Sequence, residues 1–357
     1  MRNAPRLEID LKKIEHNARM LVERLALKGI SVTGVTKAVL GSTEVCETLI
    51  KAGVTSLGDS RIENIKEMCG EHLPVPLILI RSPMLSQLEQ VVDWARISFN
   101  TEIKVIEQLS YLSERNNKIH EIVLMVELGD LREGIMPKDL INIVRKIIHL
   151  PNIHLKGIGS NLACNSGVIP DDKNMAELSS LADMLEDTFK IKLEFISGGN
   201  SANLSWAFNV KDTGRINNIR IGEAIFLGCD PLDRKDIEGL HSDAITLIAE
   251  VIESKPKPSM PWGGIAQTAF GIKHSLIDRG IISQSILAIG LQDTDAEGLT
   301  PPVNIQILGS SSDHIILETD LPLGSEVKFG LNYSAMLRAM TSPFITKEYL
   351  SHDTKIL

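Results

Sequence analysis

Residues 30–60, ISVTGVTKAVLGSTEVCETLIKAGVTSLGDS, decide how the chain is read. Ile30–Lys37 is a short β-branched run, Thr43–Gly53 repeats apolar residues at helical spacing, and Thr55–Ser60 is a second short run. A strand, a helix of crossover length and a strand again make a unit with parallel strands, because antiparallel neighbours need only a tight turn. The same alternation continues outward. Strand candidates recur at PLILIRS (76–82), ISFNT (97–101), EIVLMVELG (121–129), IHLKGIGSNLA (153–163), LEFISGGNS (193–201) and NIRIGEAIFLG (218–228), with helical-period segments such as 84–95, 139–152 and 175–189 between them. Eight strands with a crossover after each, over roughly 200 residues, predict an α/β fold of the (β/α)8 TIM-like barrel type, with an open doubly wound sheet as the alternative. After Cys229-Asp230-Pro231 the segments turn short and β-branched, separated by Pro, Gly and Asp. They predict a smaller mostly-β C-terminal domain, giving a division at 1–232 and 233–357.

The 357 residues carry 37 basic and 46 acidic side chains, a net charge of −9 that argues against nucleic acid or an anionic membrane as partner. No apolar run of about 18 residues occurs, and the charged first segment reads as neither a signal peptide nor an anchor. The four cysteines lie far apart with no CxxC pair, so a cytoplasmic protein with free thiols and no metal is expected.

Lys37 ends the first apolar run among small residues, where burying its charge is expensive unless the amine is paired, neutral or chemically altered. Barrel active sites form at the C-terminal ends of the strands. That rule brings Lys37, Arg132, Asn161, Asn200, Ser201, Arg220 and Gly222 to one rim. The SGGNSAN loop offers close backbone approach and a hydroxyl for an anion. Together these point to a phosphorylated cofactor bonded to the lysine.

On VTKA, GGNSAN, NNIRIGEAIFLG, the opening PRLEIDLKKIEHNARML and the late LNYSAMLRAMTSPFI, the chain resembles the pyridoxal-phosphate racemases with an alanine-racemase-like barrel, in particular their alanine/ornithine racemase group. The resemblance implies pyridoxal 5'-phosphate as cofactor, bonded as an imine to Lys37. It implies Ser201, Gly222 and Tyr333 at the phosphate, Arg220 facing the pyridine nitrogen, and Arg132 at the phenolic oxygen and the substrate carboxylate. Asn161 stands where the alanine enzymes have a histidine against the ring, with Asn200 beside it. The backbone around Ser312 and Asp313 corresponds to the partner-chain segment that holds the substrate carboxylate, so a homodimer is implied.

The pattern also departs from the alanine enzymes. Their second base is a tyrosine, and PWGG puts Trp262 there instead, which cannot accept a proton. His274, Cys164, Asp293 or a water are the candidates for that role. The loop GLQDTDAEGLTP (290–301) carries Asp293, Asp295 and Glu297, which would receive a distal ammonium and favour ornithine or lysine over alanine. The expected function is racemisation of ornithine or another basic amino acid. A pyridoxal-phosphate carrier or homeostasis protein is the alternative, and a metal-dependent lyase of the same fold the third reading.

Overall fold

The computed structural model describes residues 3–271 and 277–351. A first strand, β1 (Arg6–Asp10), runs directly into helix α1 (Leu11–Ala26), whose Ile14, Ala18, Leu21 and Leu25 recur at three- and four-residue spacing and are all buried. Then come strands β2 (Ser31–Val35), β3 (Ser56–Asp59), β4 (Leu77–Leu79), β5 (Ile97–Asn100), β6 (His120–Met125), β7 (Ile153–Gly159), β8 (Phe195–Ser197) and β9 (Asn218–Ile221). Each pairs in parallel with the next, and β9 returns to β2 through Arg220 opposite Thr33 and Ile221 opposite Gly34, closing the barrel. Helices α2 (Thr43–Lys51), α3 (Ile62–Gly70), α4 (Leu88–Trp94), α5 (Ile103–Arg115), α6 (Leu140–Ile147), α7 (Asp172–Phe189) and α8 (Leu204–Asn209) follow β2 to β8 in turn, and α9 (Glu223–Leu227) follows β9. The closed barrel is the predicted one, and the open sheet is set aside by the β2–β9 ladder.

The strand residues are mostly buried, polar and apolar alike, because both faces are covered. Part of the interior is an apolar cluster of Ile78, Ile97, Phe99, Val123 and Met125, with Ile80 and Phe195 packed against it. Another part is polar, and bears on the chemistry below.

A second unit is mostly antiparallel: β10 (Ile245–Pro258), β11 (Ile281–Leu287), β12 (Leu299–Thr300), β13 (Gln306–Ser310), β14 (Ile315–Glu318) and β15 (Glu326–Leu331) lie in the order β12-β15-β10-β11-β14-β13. One helix, α10 (Tyr333–Thr341), and strand β16 (Thr346–Leu350) follow.

The division differs from the one read off the sequence. The compact units are Leu11–Ser242, and Met1–Asp10 with Asp243–Leu357. The first residues leave the barrel because β1 pairs antiparallel with β10 and parallel with β16. Its buried Arg6 reaches Glu326 at 2.7 Å, Glu8 at 3.0 Å and Glu348 at 3.3 Å. Residues 233–242 stay with the barrel. Ile237 N–H donates to the Gly228 carbonyl, and the Asn17 amide binds the Ile225 and His241 carbonyls at 2.9 and 2.8 Å. Among the described residues no helix is long and apolar enough to cross a membrane.

Candidate active site

Lys37 opens the short 3-10 turn that leaves β2, directly after Thr36. Its amine forms no hydrogen bond or ion pair among the described residues, and burial pushes its pKa below the ordinary lysine value. Arg132 and Arg220 add to that depression, while Cys164 and Asp59 oppose it. These groups come from the ends of β3, β6, β7 and β9, so the barrel assembles one electropositive rim around the amine.

Arg220 faces into the barrel from β9 and is 4 % exposed. Its Nη1 donates to Ser197 Oγ at 2.6 Å, and its Nη2 to the Ser160 carbonyl at 2.8 Å and to Asn161 Oδ1 at 3.2 Å. The guanidinium lies over the Phe99 ring at 5.1 Å. Every acceptor is neutral, and burial pushes the group down to about 10, still protonated at neutral pH. A buried cation without a carboxylate partner is stable only where dipoles, or an acceptor from outside the chain, complete its bonding.

Asn161 Oδ1 also accepts from Asn200 Nδ2 at 3.1 Å, so its own Nδ2 is turned away from both neighbours and is buried without a partner. A donor left in that state calls for an acceptor supplied by a ligand. Asn200 caps the loop after β8: its Oδ1 accepts from Ala202 N–H at 2.8 Å while Nδ2 donates to the Leu162 carbonyl at 2.8 Å. Gly199 makes that loop possible, with φ at +154° and a position where a Cβ would lie 2.1 Å from Asn203 Oδ1. Ser201 is buried, and its hydroxyl accepts from Ala224 N–H at 3.3 Å, tying the loop to the start of α9. Gly222 precedes that helix, where a Cβ would meet the Val35 carbonyl oxygen at 2.9 Å. The loops after β8 and β9 thus meet as the phosphate reading requires.

Arg132 sits in the loop after β6, with its guanidinium bonded to Glu133. The sequence reading brought these seven barrel residues to one rim. It missed three others. Asp59 ends β3 fully buried and accepts from Thr36 Oγ1 at 2.8 Å, Arg61 N–H at 2.8 Å and Asn64 Nδ2 at 3.1 Å; burial raises its pKa. Its signal was present in GDS at a strand end. Asp130 accepts from the backbone N–H groups of Cys164, Asn165 and Ser166 at 2.9–3.1 Å, clamping the loop after β7 to the loop that carries Arg132. Glu223 begins α9 paired with Arg234, and burial raises its pKa. Neither of the last two has a local motif.

The remaining expected residues belong to the second unit. Tyr333 is the first residue of α10, whose start is capped by Asn332. Ser312 and Asp313 form the turn between β13 and β14, with Asp313 accepting from Ser312 Oγ at 3.2 Å and bonded to His314 Nδ1 at 2.9 Å. Asp293 is 6 % exposed and accepts from Ser342 Oγ at 2.7 Å, and Asp295 accepts from Ser334 Oγ at 2.6 Å. Within this unit the exposed carboxylate of the acidic loop is Glu297. Of the candidates for a second base, Cys164 lies at the barrel rim, where Asn200 Nδ2 donates to its sulfur at 3.4 Å, and His274 lies outside the described residues. Trp262 is exposed. Among the described residues no group of three His, Cys, Asp or Glu is placed to hold a metal ion.

Residues 9–230 match the family described as alanine racemase, N-terminal domain. The chain is 37 % identical to the ornithine racemase of Acetoanaerobium sticklandii over 97 % of its length and 99 % of the relative's. It is 39 % identical to the lysine racemase of Thermotoga maritima, over 97 % and 98 %. Among solved structures, the alanine racemase of Streptomyces lavendulae superposes with a TM-score of 0.76 at 15 % identity, covering 98 % of both chains.

Proposed function

Because this chain belongs to the alanine racemase family, with relatives named ornithine and lysine racemase aligned along nearly all of it, we propose that it is a pyridoxal-phosphate-dependent racemase of ornithine, lysine or a similar basic amino acid. The observation that carries this reading is the pairing at the barrel rim of a half-buried Lys37 amine, partnerless among the described residues, with a buried, protonated Arg220 that has only neutral acceptors. The orphaned Asn161 Nδ2 and the glycine-lined loops after β8 and β9 fit a flat heteroaromatic ring with a phosphate arm.

Lys37 is the residue that would hold the cofactor covalently, with Ser201 and the Gly222 backbone at its phosphate and Arg220 at its ring nitrogen. When bound, the cofactor supplies the electron sink for charge left at the α-carbon of an amino acid. Lys37 does the proton work: desolvation favours its neutral form, which can take a proton from the α-carbon and return one to it. Arg220 stays protonated and donates, so it does not hand the ring nitrogen a carboxylate's negative charge. That limits how far charge spreads from the α-carbon and favours reprotonation there. Asp59 and Thr36 hold the turn that carries Lys37. Cys164, bonded to Asn200 at the rim, would be the barrel candidate for the second proton-transfer group.

The reading extends to a homodimer whose second units supply Tyr333 at the phosphate and the Ser312-Asp313 backbone at the substrate carboxylate. Exposed Glu297 and partly exposed Asp295 are the carboxylates for a distal ammonium, whereas Asp293 is buried. A carrier of the cofactor would need the barrel alone, whereas the likeness to the racemases runs through both units.

The test is incubation with L-ornithine, L-lysine and L-alanine followed by chiral chromatography. Formation of the D enantiomers of the basic amino acids, with no ammonia or keto acid released, is expected. A protein that binds the cofactor yet racemises none of them would be a carrier, and a kcat/KM higher for alanine than for ornithine and lysine would remove the basic-substrate reading.

A further inference from the structure

Part of the polar barrel interior forms a chain of hydrogen bonds beneath Arg220. Thr33, Ser56, Ser197 and Asn218 are each 4 % exposed or less. Burying hydroxyls and an amide in a barrel core costs free energy unless each is bonded, and each is. Ser197 Oγ lies 2.6 Å from Arg220 Nη1 and 2.8 Å from Asn218 Oδ1. Asn218 Nδ2 lies 3.0 Å from Thr33 Oγ1 and 3.2 Å from Ser31 Oγ, and Thr33 Oγ1 is 2.8 Å from Ser56 Oγ.

The directions of the bonds from Arg220 as far as Thr33 follow from the guanidinium, which can only donate. Ser197 Oγ accepts from Arg220 and gives its one proton to Asn218 Oδ1. The Asn218 amide is then oriented with Nδ2 toward Thr33, which accepts and shares a further hydroxyl–hydroxyl bond with Ser56. The chain contains no carboxylate. A carboxylate in contact with Arg220 would hold it as firmly, but would compete for its N–H groups and cancel its charge.

We infer that Ser197 and Asn218 are positioning residues that aim Arg220 at the ring nitrogen of the bound cofactor while leaving its charge uncompensated. The inference rests on the proposed function in taking that nitrogen as the acceptor. Asn218 supplies the orientation, because its two ends have opposite hydrogen-bonding character and only one setting satisfies both neighbours. Ser197 transmits it.

The test is binding, read without turnover. The apoprotein is titrated with pyridoxal 5'-phosphate and with its 1-deaza analogue, in which a C–H replaces the ring nitrogen. One charge-assisted hydrogen bond is lost in the analogue, so the wild-type protein should prefer the natural cofactor by about tenfold or more. In Asn218→Leu that preference should fall to about threefold or less, with affinity for the analogue little changed. A merely structural role would weaken both ligands alike. Ser197→Ala, a smaller change, should lose the preference in the same way should the leucine variant fail to fold, and Ser197→Thr, which keeps the hydroxyl, should retain it. Folded Asn218→Leu or Ser197→Ala protein with the wild-type preference overturns the inference and leaves the proposed function standing. A wild-type protein with no preference removes Arg220 from the ring nitrogen and overturns both.

Discussion

A lysine amine that has no partner among the described residues and faces two arginines, Arg132 and Arg220, is less readily protonated than an ordinary lysine, and the fold keeps it so. Asp59, the nearby acid, is turned away into bonds with Thr36, Asn64 and a backbone N–H instead of pairing with Lys37. Asp59→Asn should therefore leave Lys37 with less support for its charged form, since the Asp59 anion raises the lysine's pKa. The acid limb of kcat/KM should move to lower pH, and an unmoved limb would show that Asp59 acts only on the turn. His120 makes a separate prediction at this scale. Buried and bonded to Ser98 at 2.8 Å, it is held neutral by burial, with its pKa pushed down from 6.5 to about 4. The unfolded chain binds that proton from pH 6.5 downward while the folded one refuses it until about pH 4, so stability is lost as pH falls through this window. The loss should reach about 3 kcal/mol in urea titrations, and His120→Gln should lack it. Lys37 was legible in the sequence because a charged residue interrupted an apolar strand end. His120 was not, because nothing local distinguishes a histidine at the start of a strand from a surface one.

At the scale of elements, the loops after β6 and β7 behave as one piece. The Asp130 carboxylate opposes its own burial with three backbone N–H donors from 164–166, which hold it below the usual carboxylate range. Asn165 and Ser166 side chains return bonds to the Asp130 and Leu131 carbonyls. Asp130→Ala should speed amide exchange in 163–168 and lower kcat/KM about tenfold or more by releasing Arg132, with little change elsewhere in the barrel. Unchanged exchange would show that the clamp is redundant. The eight barrel strands were readable from alternation of short β-branched runs with helical period, and the rule that chemistry gathers at strand ends singled out the rim residues as candidates. Two things were not. Residues 6–10 fell within the predicted 1–232 domain, yet as β1 their partners β10 and β16 lie more than two hundred residues away, and pairing at that separation leaves no local mark. Asp293 looked like one of three equivalent acids, yet it is buried and bonded to Ser342 while Glu297 is exposed.

For the molecule as a whole, the second unit displays exposed apolar side chains among its described residues. Trp262 is 84 % exposed, and Ile265, Phe270, Ile277 and Ile281 are exposed along the same β10–β11 connection. Apolar surface of this kind marks an interface, and the homodimer reading supplies its occupant. Sedimentation should give twice the 39.2 kDa chain mass, and Trp262→Ser with Phe270→Ser should weaken the dimer about tenfold or more. A monomeric wild-type protein at micromolar concentration would contradict it.

The account as a whole turns on one amine. Incubation of the apoprotein with pyridoxal 5'-phosphate, borohydride reduction and peptide mapping tests it most directly. The pyridoxyl mass should be found on Lys37 and vanish in Lys37→Ala, together with the absorption band near about 420 nm. Protein that stays colourless, or that carries the label on another lysine, would contradict it.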